Sequence, residues 1–161
     1  MATLPRRKLI LSAALGALLP LGACDRAGAP APAASFKGID ISGAEYARTL
    51  EMKDADGRSR SLADFKGKVV VVFFGFTQCP DVCPSTLAEL AEVKKRLGAD
   101  GAKLQGVFVS VDPERDTPEL LKAYIENFDA GFVGLRGNAD ETKAAARHFK
   151  VFYAKVPGST E

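Results

Sequence analysis

Cys79 and Cys83 stand four residues apart in Cys79-Pro80-Asp81-Val82-Cys83-Pro84, at the end of the apolar run from Lys68 to Gln78. Two thiols at this spacing can hold one metal ion, close one disulfide or act as a redox pair. In a helical segment both side chains would share a face. Their Cα atoms would then be about 6 Å apart, a span that a disulfide accepts. Pro80 and Pro84 stiffen the loop and remove two backbone donors. A helix starting here favours thiolate over thiol. Two thiolates are soft ligands and select copper, above all Cu(I), over hard ions. Zinc would ask for two more Cys or His ligands. The sequence does not supply them, because its single histidine is His148 and its third cysteine is Cys24. A purely structural disulfide would close a very short loop, which limits its stabilisation.

The surrounding pattern shows what must hold the thiols in place. Val69 to Phe74 is continuously apolar and predicts a central strand buried on both faces. Pro84 suits the first turn of a helix, which runs on the stripe Leu87, Leu90, Ala91 and Leu97 and stops at Gly98. Leu104 to Val111 is a second buried strand. Thr117 caps the next helix, with Pro118 at its first position and an end near Phe128. Phe132 to Leu135 reads as a short strand, Ala139 to Phe149 as a helix, and Val151 to Lys155 as the start of another strand. Upstream, Thr49 to Lys53 and Arg58 to Ser61 flank the turn Asp54-Ala55-Asp56-Gly57, which predicts a hairpin. Leu62 to Gly67 is one helical turn stopped by glycine. Alternating strands and helices imply an α/β chain with a largely parallel sheet, for which a thioredoxin-like fold is the natural candidate. The cysteines then lie at the carboxyl end of a strand, where open α/β folds build their sites.

Residues 1–24 read as an export leader. Arg6-Arg7-Lys8 is the basic region and Leu9 to Leu21 an apolar stretch of thirteen residues, short for a membrane span. Leu21-Gly22-Ala23-Cys24 is similar to a lipobox, so Cys24 is the expected lipidation site, and Asp25 resembles an inner-membrane retention signal. These features place the chain in a bacterial periplasm, anchored to the inner membrane. Residues 25–35, rich in Ala, Pro and Gly, form a tether, and 36–161 the folded domain. The 22 basic and 20 acidic residues give a net charge of +2. Without Arg6, Arg7 and Lys8, 19 bases face 20 acids, a balance that offers no electrostatic case for nucleic acid. Outside the cytoplasm a surviving thiol pair is a disulfide, a redox pair or a metal site.

The run Lys68 to Pro84, the block Phe108-Val109-Ser110-Val111-Asp112-Pro113-Glu114-Arg115-Asp116-Thr117-Pro118 and the segment Ser61 to Lys68 together resemble the Sco/SenC family. These are thioredoxin-fold copper chaperones of cytochrome c oxidase assembly. The resemblance spans about Thr49 to Pro157 and implies that Cys79 and Cys83 bind copper, as Cu(I) or Cu(II). It also implies delivery to the dinuclear copper site of oxidase subunit II, with a thiol reductant protein as a second partner. The family's third ligand is a histidine in an Asp-His-Ser or Asp-His-Thr motif on a later strand. The sequence stops at Glu161, so the resemblance implies a domain incomplete at its C-terminus, with a strand left short of a neighbour. His148 falls at the helix-to-strand junction before that motif, a variable position, and a surface or packing role is expected of it. Asp112, Glu114, Arg115 and Asp116 follow the second strand and approach the cysteine end of the sheet. Turn and capping roles come first for them. Asp112, Glu114 and Arg115, with Asp81, are also candidate partner contacts. The alternative function is a membrane-tethered thiol–disulfide reductase using the same cysteines. A peroxiredoxin, which Val82-Cys83-Pro84 also resembles, would want threonine where the chain has Pro80.

Overall fold

A computed structural model describes residues 37–155. The leader, Cys24, the tether 25–35 and residues 156–161 lie outside the described residues. Among the described residues, five strands form one mixed sheet, with β1 at Glu51–Asp54, β2 at Ser59–Ser61, β3 at Val69–Gly75, β4 at Leu104–Ser110 and β5 at Val133–Arg136. Three α-helices accompany them: α1 at Val82–Arg96, α2 at Pro118–Glu126 and α3 at Ala139–His148. Strand order is β2-β1-β5-β4-β3. β3, β4 and β5 run parallel, and the β1–β2 hairpin adds on antiparallel through β1 and β5. Among the described residues, no helix is long and apolar enough to cross a membrane.

The local chemistry explains most element ends. The hairpin turns at Gly57, whose positive φ of 80° suits glycine, and Gly57 N–H donates to the Asp54 carbonyl at 2.9 Å. Thr117 caps α2 by accepting from Leu120 N–H, with Pro118 at the first helical position. Asn138 and Glu141 form a reciprocal capping box at the start of α3. α1 stops where Gly98 turns to a φ of +55°.

Successive residues of β4 point to opposite faces and divide the core in two. Val107 and Val109 pack with Leu50, Met52, Phe65, Leu135 and Ala145 of α3. Phe108 faces the other way and packs with Cys83 and Leu87 of α1, and with Leu121 and Ile125 of α2. The cysteine pair and α3 therefore sit on opposite faces of the sheet.

Two expectations are corrected. β3 is not buried on both faces: Val69 is 65% exposed and its other residues up to Phe74 are half-buried, and among the described residues β3 forms an edge of the sheet, as expected of a strand left short of a neighbour. An apolar run reports that helices cover both faces, and says nothing about whether both edges are paired. The fully buried central strand is β4. Residues 151–155 form no strand. Lys150, at φ +58°, closes α3 with Val151 N–H on the Ala146 carbonyl and its own N–H on Arg147. The strand-like Val151-Phe152-Tyr153 pairs with no described strand, and Phe152 is 91% exposed.

Candidate metal centre

Phe76 to Asp81 carries the chain from the end of β3 to α1, and buried hydrogen bonds pin this loop to the next strand. Asp116 is fully buried. Its carboxylate accepts from Thr77 N–H at 3.2 and 3.3 Å and from the Thr77 hydroxyl at 2.7 Å. Ser110, the last residue of β4, donates its hydroxyl to the same carboxylate at 2.5 Å. Val111 N–H donates to the Gly75 carbonyl at 2.8 Å. The cysteine loop and the β4–α2 turn thus behave as one body. A second link is more exposed. Arg115 pairs with Asp112, donates to Gln78 Oε1 at 3.2 Å, and lies 5.9 Å from the Phe76 ring centre.

Both cysteines are free thiols. Cys83 lies in the first turn of α1 and is only 5% exposed; Cys79 precedes the helix and is partly exposed. The first amides of a helix lack intrahelical acceptors. Asp81 at the N-cap does not supply one from its side chain. Cys79 does, because Cys83 N–H donates to Cys79 Sγ at 3.4 Å. Burial raises the Cys79 thiol pKa. The hydrogen bond from the Cys83 thiol and the amides of Cys83, Asp81 and Val82 outweigh it and hold the pKa below its ordinary value. Burial, followed by the hydrogen bond to Cys79, pushes Cys83 the other way, up to about 11. The helix terminus expected to acidify the pair thus acts on Cys79, while desolvation governs Cys83.

Gly75 sets the space for the second sulfur. A Cβ there would lie 3.0 Å from Cys83 Sγ and 2.8 Å from Phe108 Cε2, both closer than packing allows.

Of the acidic and basic candidates, Asp81 is exposed, and its carbonyl accepts from the Ser85 amide and hydroxyl. Glu114 is exposed and paired with Lys155. Asp112 is buried, so Arg115 and Glu114 are what this turn presents to solvent. His148 is exposed at the end of α3, across the sheet, and its carbonyl accepts from Ala47 N–H at 2.7 Å. Among the described residues, no three His, Cys, Asp or Glu side chains cluster closely enough to hold a metal ion. The donor set on hand is two sulfurs, which fits a soft monovalent ion.

Sequence reasoning passed over two residues here. Asp116, read as a turn residue, is the anchor of the loop. The signal was an acid between a buried strand and a capped helix, since a carboxylate so placed needs buried donors. Tyr124, on the apolar side of α2 with Leu121, packs against Phe108 and Phe128, with ring centroids 5.9 and 5.3 Å away. Burial and then the charges of the two sulfurs push its phenol up to about 12.

The SCO1/SenC family model matches residues 40–161. The chain belongs to the SCO1/SenC family. It is 39% identical over 112 residues to an SCO2-like protein of Rickettsia felis, covering 70% of this chain and 55% of that protein. It spans about half the length of the curated relatives it matches first. Among solved structures, copper-bound ScoI of Bradyrhizobium japonicum is 40% identical with a TM-score of 0.64, over 69% of this chain and 71% of that one. BsSco belongs to the Sco family of cytochrome c oxidase assembly proteins, and a disulfide switch has been identified in it. It is 30% identical with a TM-score of 0.58, over 70% of this chain and 69% of that one. The thioredoxin-like architecture expected from the strand and helix order is the fold of these SCO1/SenC relatives.

Proposed function

We propose that this chain is a copper-binding metallochaperone of cytochrome c oxidase assembly. It would carry copper, as Cu(I) or Cu(II), on Cys79 and Cys83 and pass it to the dinuclear copper site of oxidase subunit II. The observation that carries this reading is the asymmetric thiol pair. One sulfur is accessible and held toward thiolate by a helix terminus; the other is buried beside it. Similarity to copper-bound ScoI supports copper as the cargo. Cys79 meets the ion first. Cys83 then ligates as its proton leaves to solvent, a loss the metal's charge drives. A downstream histidine is the third ligand that the family resemblance implies. Release proceeds by exchanging one thiolate at a time for ligands of the acceptor, which requires both thiols to be reduced by a thiol reductant protein. The leader pattern supports a periplasmic location, with Cys24 lipidated in the inner membrane.

The same asymmetry favours a second reading, a thiol–disulfide reductase. The Cys79 thiolate attacks a partner disulfide, and one partner sulfur leaves as thiolate. Cys83 gives up its proton and attacks the mixed disulfide. A Cys79–Cys83 disulfide forms, and the second partner sulfur leaves with the bonding pair. Two electrons have passed to the partner. The similarity to BsSco, with its disulfide switch, is in keeping with this.

A transfer assay separates the two. Reduced chain loaded with Cu(I) is mixed with the apo copper-binding domain of subunit II, and copper on each protein is quantified after separation. Copper moving to the acceptor, and lost from Cys79→Ser and Cys83→Ser before mixing, supports delivery. Failure to retain Cu(I), together with rapid reduction of acceptor disulfides, overturns it in favour of the reductase.

A further inference from the structure

Lysines gather at the end of the sheet opposite the cysteines. β3 and β4 enter the sheet side by side, with Val69 facing Leu104 across the parallel register. Lys68 and Lys103 each stand one residue before that first pair, so two cations meet at the strand entries. Lys66 precedes them in the same turn. α1 runs back from the cysteine end, and its last turn carries Lys94, Lys95 and Arg96. The 3-10 turn Gly98–Lys103 then joins that turn directly to β4. Part of this charge is answered locally. Arg96 pairs with Glu92 and Lys103 with Asp100, each at 2.8 Å, and Lys94 turns away to Asp129 at 2.6 Å. Lys68 donates to Gln105 Oε1 at 3.0 Å, a neutral partner that leaves its charge in place. Among the described residues, Lys66 and Lys95 have no ion-pair partner. Leu97 and Val69 lie exposed among these lysines. A helix dipole accounts for cations at the end of α1. It does not account for Lys68 at a strand entry, or for apolar side chains left in solvent beside it.

The opposite end carries the other sign. Exposed acids stand there at Asp81, Glu114, Glu119 and Asp140, of which Glu114 is paired with Lys155. The chain also arrives at the basic end. α3 starts beyond the carboxyl end of β5 and runs back, and Ala47 N–H donates to the carbonyl of its last residue, His148, at 2.7 Å.

We infer that the end bearing Lys66, Lys68, Lys95 and Lys103 around Leu97 is a docking surface for an anionic phospholipid membrane. This deepens the reading of a membrane-anchored copper carrier and rests on it only for its purpose. Lysine stems lie along an apolar surface while their ammonium groups reach outward, which suits the boundary between acyl chains and phosphates. A tether permits many orientations of the domain. It also holds the patch at high local concentration beside the bilayer, so a surface too weak to hold a free domain suffices for a tethered one. The acidic end is repelled from the same surface. Seated this way, the domain turns Cys79 away from the bilayer, toward a soluble domain of the copper acceptor.

The test is lysine footprinting of the full chain on vesicles of phosphatidylglycerol and of phosphatidylcholine. An acetylating reagent is applied and each lysine is read by mass spectrometry. The leader accompanies the chain on both lipids, so differences between individual lysines report orientation. Acetylation of Lys66, Lys68, Lys95 and Lys103 should slow about fivefold on phosphatidylglycerol relative to phosphatidylcholine. Lys122 and Lys155 should react alike on both. The protection should disappear in about 0.5 M salt, and Lys68 and Lys103 should lose it when Lys66→Glu and Lys95→Glu are combined. Equal rates at all six lysines on the two lipids would overturn the inference, as would protection of Lys155 in place of Lys95. Protection that arises without vesicles and grows with protein concentration would overturn it in favour of a contact between two copies. Lipid on Cys24, read by the mass of the chain recovered from bacterial membranes, is a separate result. Its absence would remove the anchor while the footprint still decides the docking surface.

Discussion

Replacing Asp116 by Asn should loosen the cysteine loop more than its distance in sequence from the cysteines suggests. The carboxylate is fully buried and takes three donors, the Thr77 amide and the hydroxyls of Thr77 and Ser110. Asparagine keeps one acceptor oxygen and turns the other position into a donor, so at least one of the three bonds is lost and a donor faces a donor. Hydrogen bonds to a charged group contribute about 1.5–3 kcal/mol each, and a buried donor left unsatisfied costs about 1–3 kcal/mol. The expected loss is about 2–4 kcal/mol. For a chain this size that lowers a urea midpoint by about 1–2 M. Thr77→Val removes the hydroxyl but keeps the amide bond, and should lose about 1.5–3 kcal/mol. The assay is urea unfolding of the reduced chain with Cu(I) affinity measured alongside, because Thr77 lies two residues before Cys79. Asp116→Asn should weaken copper binding under conditions where the protein remains folded. An unchanged midpoint would refute the anchoring role. A lower midpoint with unchanged copper affinity would show that Asp116 supports the fold and not the site.

Gly75→Ala should destabilise by about 1–3 kcal/mol, the range for overpacking a filled core, because a Cβ would lie 2.8 Å from the buried Phe108 ring and 3.0 Å from the buried Cys83 sulfur; thermal or urea unfolding measures it. The reduced protein should lose stability as pH rises from about 9 to about 11. Over that window an unfolded Cys83 releases its proton while the folded one, held up to about 11, keeps it. The loss from Cys83 is on the order of 2 kcal/mol, is absent below pH 9, and should shrink in Cys83→Ser, leaving the part due to the Tyr124 phenol, which is pushed up to about 12. His148→Ala should leave Cu(I) affinity within about twofold of the parent, since His148 lies across the sheet from the sulfurs; chelator competition checks it.

The residues that determine local conformation could be read directly. Thr117-Pro118 opened α2, Gly98 closed α1 and Asp54 to Gly57 turned the hairpin as expected, because each acts within a few residues of chain. The placement of the cysteine pair between a strand and a helix was equally plain, since the apolar run before it and Pro84 after it are local signals. Degree of burial was less legible: the valines of β3 read as buried on both faces, yet Val69 is exposed and the rest are half-buried, and the Val151 run reads as a strand although no described neighbour pairs with it. The opposite shifts of Cys79 and Cys83 were also hidden. They depend on one sulfur facing the helix amides and the other facing Phe108 and Leu87, a difference of burial that identical residue types do not encode. Asp116 acts across the fold, from a turn that meets the cysteine loop only in three dimensions.

The central claim is that Cys79 and Cys83 together hold the copper. X-ray absorption at the copper edge of the Cu(I)-loaded, reduced chain tests it directly, with Cys79→Ser and Cys83→Ser measured beside it. The account predicts sulfur scattering from two ligands in the parent and from no more than one in either variant, with weaker retention in both. Copper retained with unchanged sulfur coordination in the two variants would contradict it.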